Sequence, residues 1–376
     1  MPSSQPGRYK PTPSALRRNQ CQSIEPCRKV RRKPSGCDVP TPYLRTMPAR
    51  KVLFIQTAFI GDAILASALW ETWHAAHPED AIHICVRQGN EAMFDGHPFL
   101  AGVHVWNKKG GLLPRYRSLN ALARTLRRDR FDAVFTPHRH ASSGWLAWRS
   151  GTPIRVGFDV HPLRRVFTHR VPHGFEEGVH EIERNHRLVE GWTDVEAPRM
   201  PRLYPEPLAP VGRAFAVLAP ASQWATKQWP VERWIELCDA LAEEVPELRL
   251  VGSPADAALL EEVAAKTEHP NAVVQADQGL LESAALMAQA AWVLTNDSGP
   301  LHLASAVNAP TVAVYCSTVP AFGFGPLSDR SRVVESAESL PCRPCGVHGK
   351  TSCPLGHFAC GESITVDQVL SALDTL

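Results

Sequence analysis

The sequence predicts an α/β protein made of two domains, each with a parallel sheet covered by helices. Its 376 residues exceed the usual size of one hydrophobic core. Apolar runs typical of buried strands alternate with helical patterns in two separate series. A proline-rich stretch at residues 199–210 lies between the series. We therefore expect two Rossmann-like domains, residues 49–203 and 204–376, that face a central cleft.

Composition places the chain among ordinary globular proteins, with 44% apolar and 21% charged residues. No apolar run approaches the roughly 20 residues that span a bilayer, and the first residues show no secretory leader pattern. These features predict a cytoplasmic protein.

Residues 1–48 differ in composition from the rest of the chain. Residues 1–50 contain eleven Lys and Arg against two acidic residues, a charge of +9, which leaves the remainder at −7. Because the segment is rich in Pro and Ser and lacks apolar periodicity, we predict a disordered basic tail, and Met47 is an alternative start of the native chain. The basic cluster at 28–33 could bind anionic lipid or nucleic acid, or be only solvated. The mildly acidic body leads us to expect no nucleic-acid partner.

The first domain opens with a buried strand at residues 52–55, a turn that contains glycine, and a helix at 63–76. The alternation continues with strands at 81–86 and 133–136 and a helix at 112–128. Ligands bind at the carboxyl ends of the strands in such sheets, so we expect the functional residues there.

The second domain repeats this alternation after the proline-rich linker. Its predicted strands are residues 215–218, 248–251, 272–274, 292–295 and 311–315, and its predicted helices are 231–243, 255–266, 281–290 and 300–307.

The pair Gly61-Asp62 follows the first strand of the first domain. Gly61 would permit a tight turn, and Asp62 lies where a helix dipole favours an anion. Asp62 could act as a general base on an acceptor hydroxyl in the cleft. The alternative is an N-cap aspartate that only closes the helix.

A polar segment follows the first strand of the second domain and contains Ser222, Thr226 and Lys227. The two hydroxyls can donate hydrogen bonds, and the lysine adds a positive charge suited to a diphosphate. The alternative is a loop anchored by its tryptophans whose lysine faces solvent.

The segment 295–302 joins a buried strand to a helix and contains Asp297, Ser298, Gly299 and His302. With Ser298 as the N-cap and Pro300 in the first turn, free backbone N–H groups would form an anion site. Asp297 would repel a phosphate, so we expect it to orient the loop or to bind sugar or ribose hydroxyls. The alternative is a plain turn between strand and helix.

The carboxyl-terminal region contains four cysteines at Cys342, Cys345, Cys353 and Cys360. They could hold a structural Zn or Fe ion, but the spacing lacks a second close pair of cysteines. Free thiols or an occasional disulfide are the alternatives. None of these arrangements predicts a catalytic role.

Taken together, these segments resemble glycosyltransferase family 9, the ADP-heptose:lipopolysaccharide heptosyltransferases and their relatives. The resemblance extends from about Arg50 to the carboxyl terminus, and the cysteine-rich tail is similar to that of heptosyltransferase II members. The shared motifs are Gly61-Asp62, Arg155-Val156-Gly157-Phe158, Thr226-Lys227 with Trp229-Pro230, the segment 296–302, and Cys342, Cys345, Cys353, Pro354-Leu355-Gly356-His357 and Cys360.

The resemblance implies a GT-B fold and an inverting transfer of heptose from ADP-heptose to a sugar of the lipopolysaccharide inner core. The acceptor would lie at the inner-membrane surface, where a cytoplasmic enzyme could associate peripherally, and catalysis would require no cofactor. The resemblance also implies that Asp62 is the base, that Lys227 binds the donor phosphates, and that Asp297 with Ser298, Gly299 and His302 binds the donor.

Two segments depart from the family pattern. Residues 222–225 replace a more glycine-rich phosphate loop, and residues 322–326 carry two phenylalanines that could line an acceptor groove or pack internally. The alternatives are therefore a glycosyltransferase or epimerase that uses another nucleotide sugar, and a noncatalytic sugar-nucleotide or glycan-binding protein.

Overall fold

The computed structural model describes residues 49–209 and 212–376, and the predicted basic tail lies outside them. The described residues contain two six-stranded parallel sheets that belong to the same compact unit. None of the helices within these two ranges has the combination of length and hydrophobicity that a transmembrane span requires. The predicted α/β fold is confirmed, whereas the boundary between residues 203 and 204 stays a prediction.

The first sheet and its helices occupy the amino-terminal half. Their bounds are β1 (Lys51–Gln56), α1 (Ile60–Ala76), β2 (Ala81–Arg87), β3 (Leu100–Trp106), α2 (Leu112–Asp129), β4 (Ala133–Thr136), α3 (Ala141–Arg149), β5 (Ile154–Phe158), β6 (His169–Val171) and α4 (Glu181–His186). The strand order is β3-β2-β1-β4-β5-β6. The strands are added to one side of β1 up to β3 and to its other side from β4 onwards. Doubly wound sheets bind ligands at this change of side, between β1 and β4.

The second sheet repeats this topology. Its elements are β7 (Ala216–Ala219), α5 (Val231–Ala240), β8 (Leu248–Val251), α6 (Ala257–Lys266), β9 (Ala272–Gln275), α7 (Leu280–Gln289), β10 (Val293–Asn296), α8 (Gly299–Ala306), β11 (Thr311–Tyr315), β12 (Ser331–Glu335), α9 (Ala359–Glu362) and α10 (Val366–Asp374). The strand order is β12-β11-β10-β7-β8-β9, so the corresponding change of side lies between β7 and β10.

The two halves share part of one hydrophobic core. Helix α1 packs against α8 of the second half and against α4 of its own half. Residues such as Phe54, Trp73, Val217 and Ala304 belong to the same buried cluster. The start of α1, next to the carboxyl end of β1, is therefore held close to the start of α8, next to the carboxyl end of β10.

The predicted linker contains no helix or strand in its described part, but it packs closely along α1. The backbone N–H of Arg199 donates to Thr72 Oγ1 at 3.0 Å, and that of Arg202 donates to Ser67 Oγ at 2.9 Å. The Tyr204 hydroxyl lies 3.1 Å from both carboxylate oxygens of Glu71. This connection is consequently a segment packed against α1 and not a flexible linker.

Glu71→Gln should flatten the pH dependence of the free energy of unfolding. Burial raises the pKa of Glu71 from 4.5 to about 7, against the opposing effect of the Tyr204 hydrogen bond. Between these values the folded chain binds more protons than the unfolded chain, so Glu71 makes stability fall as pH rises across this window. Urea unfolding at several pH values between 4.5 and 7 measures the slope, with the exposed Glu79→Gln as control. Equal slopes in the two variants would disprove this role of Glu71.

Candidate active site

Asp62 lies in the first turn of α1, at the carboxyl end of β1. The helix begins at Ile60 with Phe59 as its N-cap residue, so the N-cap interpretation of Asp62 is wrong. Burial, and to a smaller extent the negative charge of Glu181, raises the pKa of Asp62 from 3.8 to about 6. Hydrogen bonds from the Phe59 and Asp62 backbones and the charge of Arg139 act in the opposite direction. A carboxylate with such a pKa is suited to accept a proton near neutral pH.

Glu181 and Arg184, which sequence reasoning missed, join the two halves beside Asp62. Arg184 is almost fully buried, and its Nε donates to Glu181 Oε2 at 2.8 Å. Its Nη1 donates to the Val179 carbonyl, and its Nη2 reaches the Phe322 carbonyl of the second half at 2.7 Å. The charged segment 180–186 was the available signal, but nothing in the sequence places it next to Asp62.

The loop at residues 320–325 forms the other side of this junction. Gly323 has a φ of 91°, and a Cβ there would lie 2.3 Å from the Val179 carbonyl oxygen. The Arg184 guanidinium lies 5.0 Å from the Phe175 ring centroid and 5.9 Å from that of Phe324. Phe324 therefore packs internally, as one of the two alternatives for this segment predicts.

Gly61 is needed for a close contact and not for the predicted tight turn. It has no positive φ, and a Cβ on it would lie 2.6 Å from the His302 Cδ2 atom. His302 is buried in α8, which lowers its pKa to about 4, so the imidazole is neutral near pH 7. The pair joins the start of the Asp62 helix to the donor-binding segment predicted from the sequence.

Gly61→Ala should destabilise the chain by about 1–3 kcal/mol, because the new methyl group overpacks against the buried His302 ring. The double variant Gly61→Ala with His302→Ala removes the clash and should recover part of that loss. Urea denaturation measures both, and Gly191→Ala is the control because a Cβ there meets nothing within 4 Å. If Gly61→Ala is as stable as the control variant, the contact does not constrain this junction.

Lys227 and Asp297 form an ion pair between the two strand ends of the second half. Lys227 Nζ lies 2.6 Å from Asp297 Oδ2, and both side chains are largely buried. The same carboxylate oxygen accepts the Thr318 hydroxyl at 2.6 Å. These contacts fit the first of the two roles expected for Asp297, orientation of the loop, and its binding of sugar or ribose hydroxyls stays a prediction. Asp297 also holds Lys227, which was expected to face either a phosphate or solvent.

The loops after β7 and β10 are also joined through Asn296. Its Oδ1 accepts the Trp229 backbone N–H at 3.0 Å, and its Nδ2 donates to the Pro220 carbonyl at 2.7 Å. Thr226, predicted to bind the donor, is buried, and its hydroxyl oxygen accepts the Lys350 N–H at 2.8 Å and the Ser317 hydroxyl at 3.0 Å. Thr226 therefore fixes the cysteine-rich segment against the Lys227 loop.

A cavity of about 760 Å³ opens between the two halves beside this polar cluster. Its volume lies within the usual range for small-molecule sites. Of the predicted donor residues, Ser222, Ser298 and Gly299 line it. Ser298 occupies the N-cap position of α8, but its side chain makes no cap hydrogen bond, and its buried Oγ has no protein partner in the described residues. The hydroxyl is thus available to a ligand.

The far side of the cavity contains residues that no sequence pattern indicated. Val251, Leu280 and Met287 provide apolar surface there. Gln278 also lines this side, and its buried Oε1 has no partner within the described residues. A flat apolar group with a hydrogen-bonding edge, such as a nucleobase, fits this combination.

The four carboxyl-terminal cysteines are free thiols in this structure. Within residues 49–209 and 212–376, no group of three or more His, Cys, Asp or Glu side chains is placed to hold a metal ion, so the structure does not form the structural Zn or Fe site that we considered. Burial raises the pKa of Cys360 to about 11, and backbone hydrogen bonds, first from Phe358, lower that of Cys353.

Comparison with known proteins finds relatives and solved structures that match most of the chain. Lipopolysaccharide heptosyltransferase 1 of Pseudomonas aeruginosa is 27% identical over 309 residues, which cover 78% of this chain and 86% of that protein. The solved glycosyl transferase family 9 protein of Veillonella parvula is 20% identical with a TM-score of 0.73, over 87% of this chain and 96% of its own. The solved ADP-heptose lps heptosyltransferase II of Escherichia coli is 22% identical with a TM-score of 0.71. The match covers 86% of this chain and 97% of that chain.

The two solved structures show that the fold is shared, including the pairing of two Rossmann-like halves that defines GT-B enzymes. The sequence profile of the family covers well over half of the chain, from residue 119 to residue 354. That range includes the Lys227–Asp297 pair and most of the segments on which the resemblance rests. The chain belongs to glycosyltransferase family 9 (heptosyltransferase).

Proposed function

We propose that this glycosyltransferase moves heptose from ADP-heptose to a hydroxyl of a lipopolysaccharide inner-core sugar, with inversion at the anomeric carbon. The observation that carries the proposal is the position of Asp62. Its pKa is raised to about 6. It lies in the first turn of α1 directly after Ile60 and Gly61, which line the cavity between the two halves. The lipopolysaccharide heptosyltransferases among its relatives support the choice of donor and acceptor class.

The donor is proposed to bind to the second half. The base would lie against Met287 and Gln278, and the diphosphate near the start of α8 at Ser298 and Gly299. Free backbone N–H groups at a helix start favour an anion. Lys227 has two further N–H groups besides the one directed to Asp297, so it can also donate to a phosphate oxygen. These charges would stabilise the leaving diphosphate without a divalent ion.

In the transfer step, Asp62 removes the proton from the acceptor hydroxyl. The acceptor oxygen forms a bond to the anomeric carbon from the face opposite the diphosphate. The bond between that carbon and the phosphate oxygen breaks, and ADP leaves with the electron pair. Asp62 ends protonated and returns its proton to water, so the pKa of about 6 suits both states.

The acceptor is proposed to lie along the carboxyl edge of the first sheet. Arg139 lies near enough to affect the pKa of Asp62, and His138 Nδ1 lies 3.1 Å from Thr57 Oγ1. Lys108 donates to the Thr57 carbonyl, which places a second cation at this edge. Acidic or phosphorylated sugars would be attracted to such an edge, and an acceptor carried by a lipid would bring the enzyme to the inner-membrane surface.

The direct test is transfer from ADP-heptose to a truncated, heptose-deficient core oligosaccharide, followed by mass spectrometry and by NMR of the new linkage. We expect the acceptor mass to increase by one heptose, with an inverted anomeric centre and no loss of rate in a chelator. Binding of ADP-heptose without transfer would support a noncatalytic binding protein instead. Transfer only from another nucleotide sugar would overturn the donor assignment.

A further inference from the structure

The amino-terminal end of α2 exposes large apolar side chains that no other part of the described chain covers. Leu112 is 89% exposed, Leu113 58% and Tyr116 57%. The same helix packs into the core further along, at Leu122 and Leu126. The amino-terminal turn of α2 is therefore uncovered, whereas its later turns pack into the core. Exposed apolar groups clustered in this way indicate an interaction surface.

Tryptophans of the neighbouring helix enlarge this apolar area. Trp148 of α3 is 46% exposed, and its ring centroid lies 5.2 Å from that of Trp145. Trp145, Leu112 and Tyr116 line an open groove of about 310 Å³. Tryptophan and tyrosine are the side chains enriched at the boundary between a bilayer and water.

Positive charge surrounds the apolar area. Residues 107–128 contain seven Lys and Arg and no Asp or Glu, although the chain outside the basic tail is acidic overall. Lys109 and Arg117 are exposed. The Arg149 guanidinium lies 5.8 Å from the ring centroids of both Trp145 and Trp148. Basic residues beside exposed leucines and aromatic rings are typical of proteins that bind at an anionic membrane surface.

This surface is continuous with the acceptor edge of the first half. His140 lines the groove together with Tyr116, and its ring stacks against that of His138 with centroids 5.7 Å apart. His138 in turn contacts Thr57, five residues before Asp62. A ligand that leaves the surface at the groove would thus meet the edge that leads to the proposed base.

We propose that the surface formed by Leu112, Leu113, Tyr116, Trp145 and Trp148 with Lys109, Arg117 and Arg149 docks the enzyme on a bilayer that contains anionic lipid. The apolar side chains enter the headgroup region while the basic side chains face lipid phosphates. Membrane docking itself does not depend on the proposed function. The inference rests on that function only in assuming that docking brings a lipid-linked acceptor to Asp62. Uninterrupted positive charge favours the anionic bilayer over an apolar protein partner.

Co-sedimentation of the full chain with phospholipid vesicles tests the proposal. The vesicles contain phosphatidylcholine alone or with about one-third phosphatidylglycerol, which supplies the negative charge. We expect binding to the anionic vesicles only. Leu112→Ser with Tyr116→Ser keeps the net charge and should weaken binding at least tenfold, which separates this surface from the basic tail. Lys109→Glu with Arg117→Glu should weaken it by more than tenfold, since each basic residue contributes about a fivefold factor.

Two control pairs keep the same chemistry at other places in the chain. Met200→Ser with Leu355→Ser replaces side chains that are 51% and 63% exposed, and Arg170→Glu with Arg213→Glu changes charge by the same amount. Each control double variant should bind the anionic vesicles more tightly than the surface double variant of the same chemistry. The proposal is overturned if the wild-type protein does not bind anionic vesicles. It is also overturned if the Leu112→Ser, Tyr116→Ser double variant binds them as tightly as the wild type. It is also overturned if that pair turns a dimer into a monomer, since the occupant would then be a second copy.

Transfer to a soluble, lipid-free oligosaccharide separates this proposal from the proposed function. The two surface pairs should retain wild-type kcat on that acceptor while they lose vesicle binding. If wild type shows no transfer but the vesicle results hold, the proposed function fails and the docking surface stands.

Discussion

Replacing Asp62 by asparagine should lower kcat by about 10²–10⁴-fold while the chain stays folded, because general-base catalysis contributes on this scale. Asparagine is nearly isosteric and can still accept the backbone N–H groups at the start of α1. It cannot take a proton from the acceptor hydroxyl at any accessible pH. KM for the donor should change little, since the proposed donor site lies on the other half. Steady-state kinetics with saturating acceptor measures both constants.

The pH profile gives the same prediction a second readout. The carboxylate is the active form of a base, and burial raises the pKa of Asp62 to about 6. In the wild-type enzyme kcat/KM should therefore rise as pH increases through about 6 and level off above it. The residual kcat/KM of Asp62→Asn should not show this rise with pH. Asp367→Asn, an exposed first-turn aspartate of α10, is the matched control. Near-wild-type turnover of Asp62→Asn would exclude Asp62 as the base.

Lys227→Met should have a large effect on stability as well as on donor binding. The substitution leaves the Asp297 carboxylate buried, with the Thr318 hydroxyl as its remaining side-chain partner among the described residues. Removing one partner of a buried ion pair costs about 3–5 kcal/mol. KM for the nucleotide sugar should rise, because the positive charge near the diphosphate is lost. Urea unfolding and donor titration measure the two effects.

The double variant Lys227→Met with Asp297→Asn separates these effects. The neutral asparagine no longer needs a cation, so most of the lost stability should return, whereas donor affinity should stay low. Lys266→Met is the control, because its ion pair with Glu262 is exposed to solvent and contributes little to stability. Full recovery of donor affinity in the double variant would show that Lys227 acts only as the partner of Asp297.

The strands and helices with strong patterns could be predicted from sequence. The buried run at residues 52–55 and the helix after it correspond to β1 and α1, and the series from β7 to β11 was predicted with similar bounds. Elements with weak patterns were missed, among them β3, β12 and α4. β3 has only one fully buried residue, and α4 is six residues long, so neither shows a clear apolar period.

The site was predictable as a set of segments but not as a set of contacts. Asp62 and Asp297 lie just after the carboxyl ends of β1 and β10, the positions from which the sequence analysis selected them. Their roles in catalysis and in donor binding stay predictions. The role of Gly61 depends on the His302 ring, which lies 241 residues further along the chain. Thr226 has the residue type of a phosphate ligand, but its hydroxyl oxygen accepts hydrogen bonds from the Lys350 N–H and the Ser317 hydroxyl, more than 90 residues further along the chain. Such long-range partners leave no local pattern.

The buried guanidinium of Arg184 determines how the cleft can open. It is bonded to Glu181 in one half and to the Phe322 carbonyl in the other, between two phenylalanine rings. Partial separation would leave this cation without both water and its carbonyl partner, which is unfavourable. We therefore expect opening to break these contacts together and not one after another. Substrate capture and product escape would then depend on a single event beside Asp62, the proposed base.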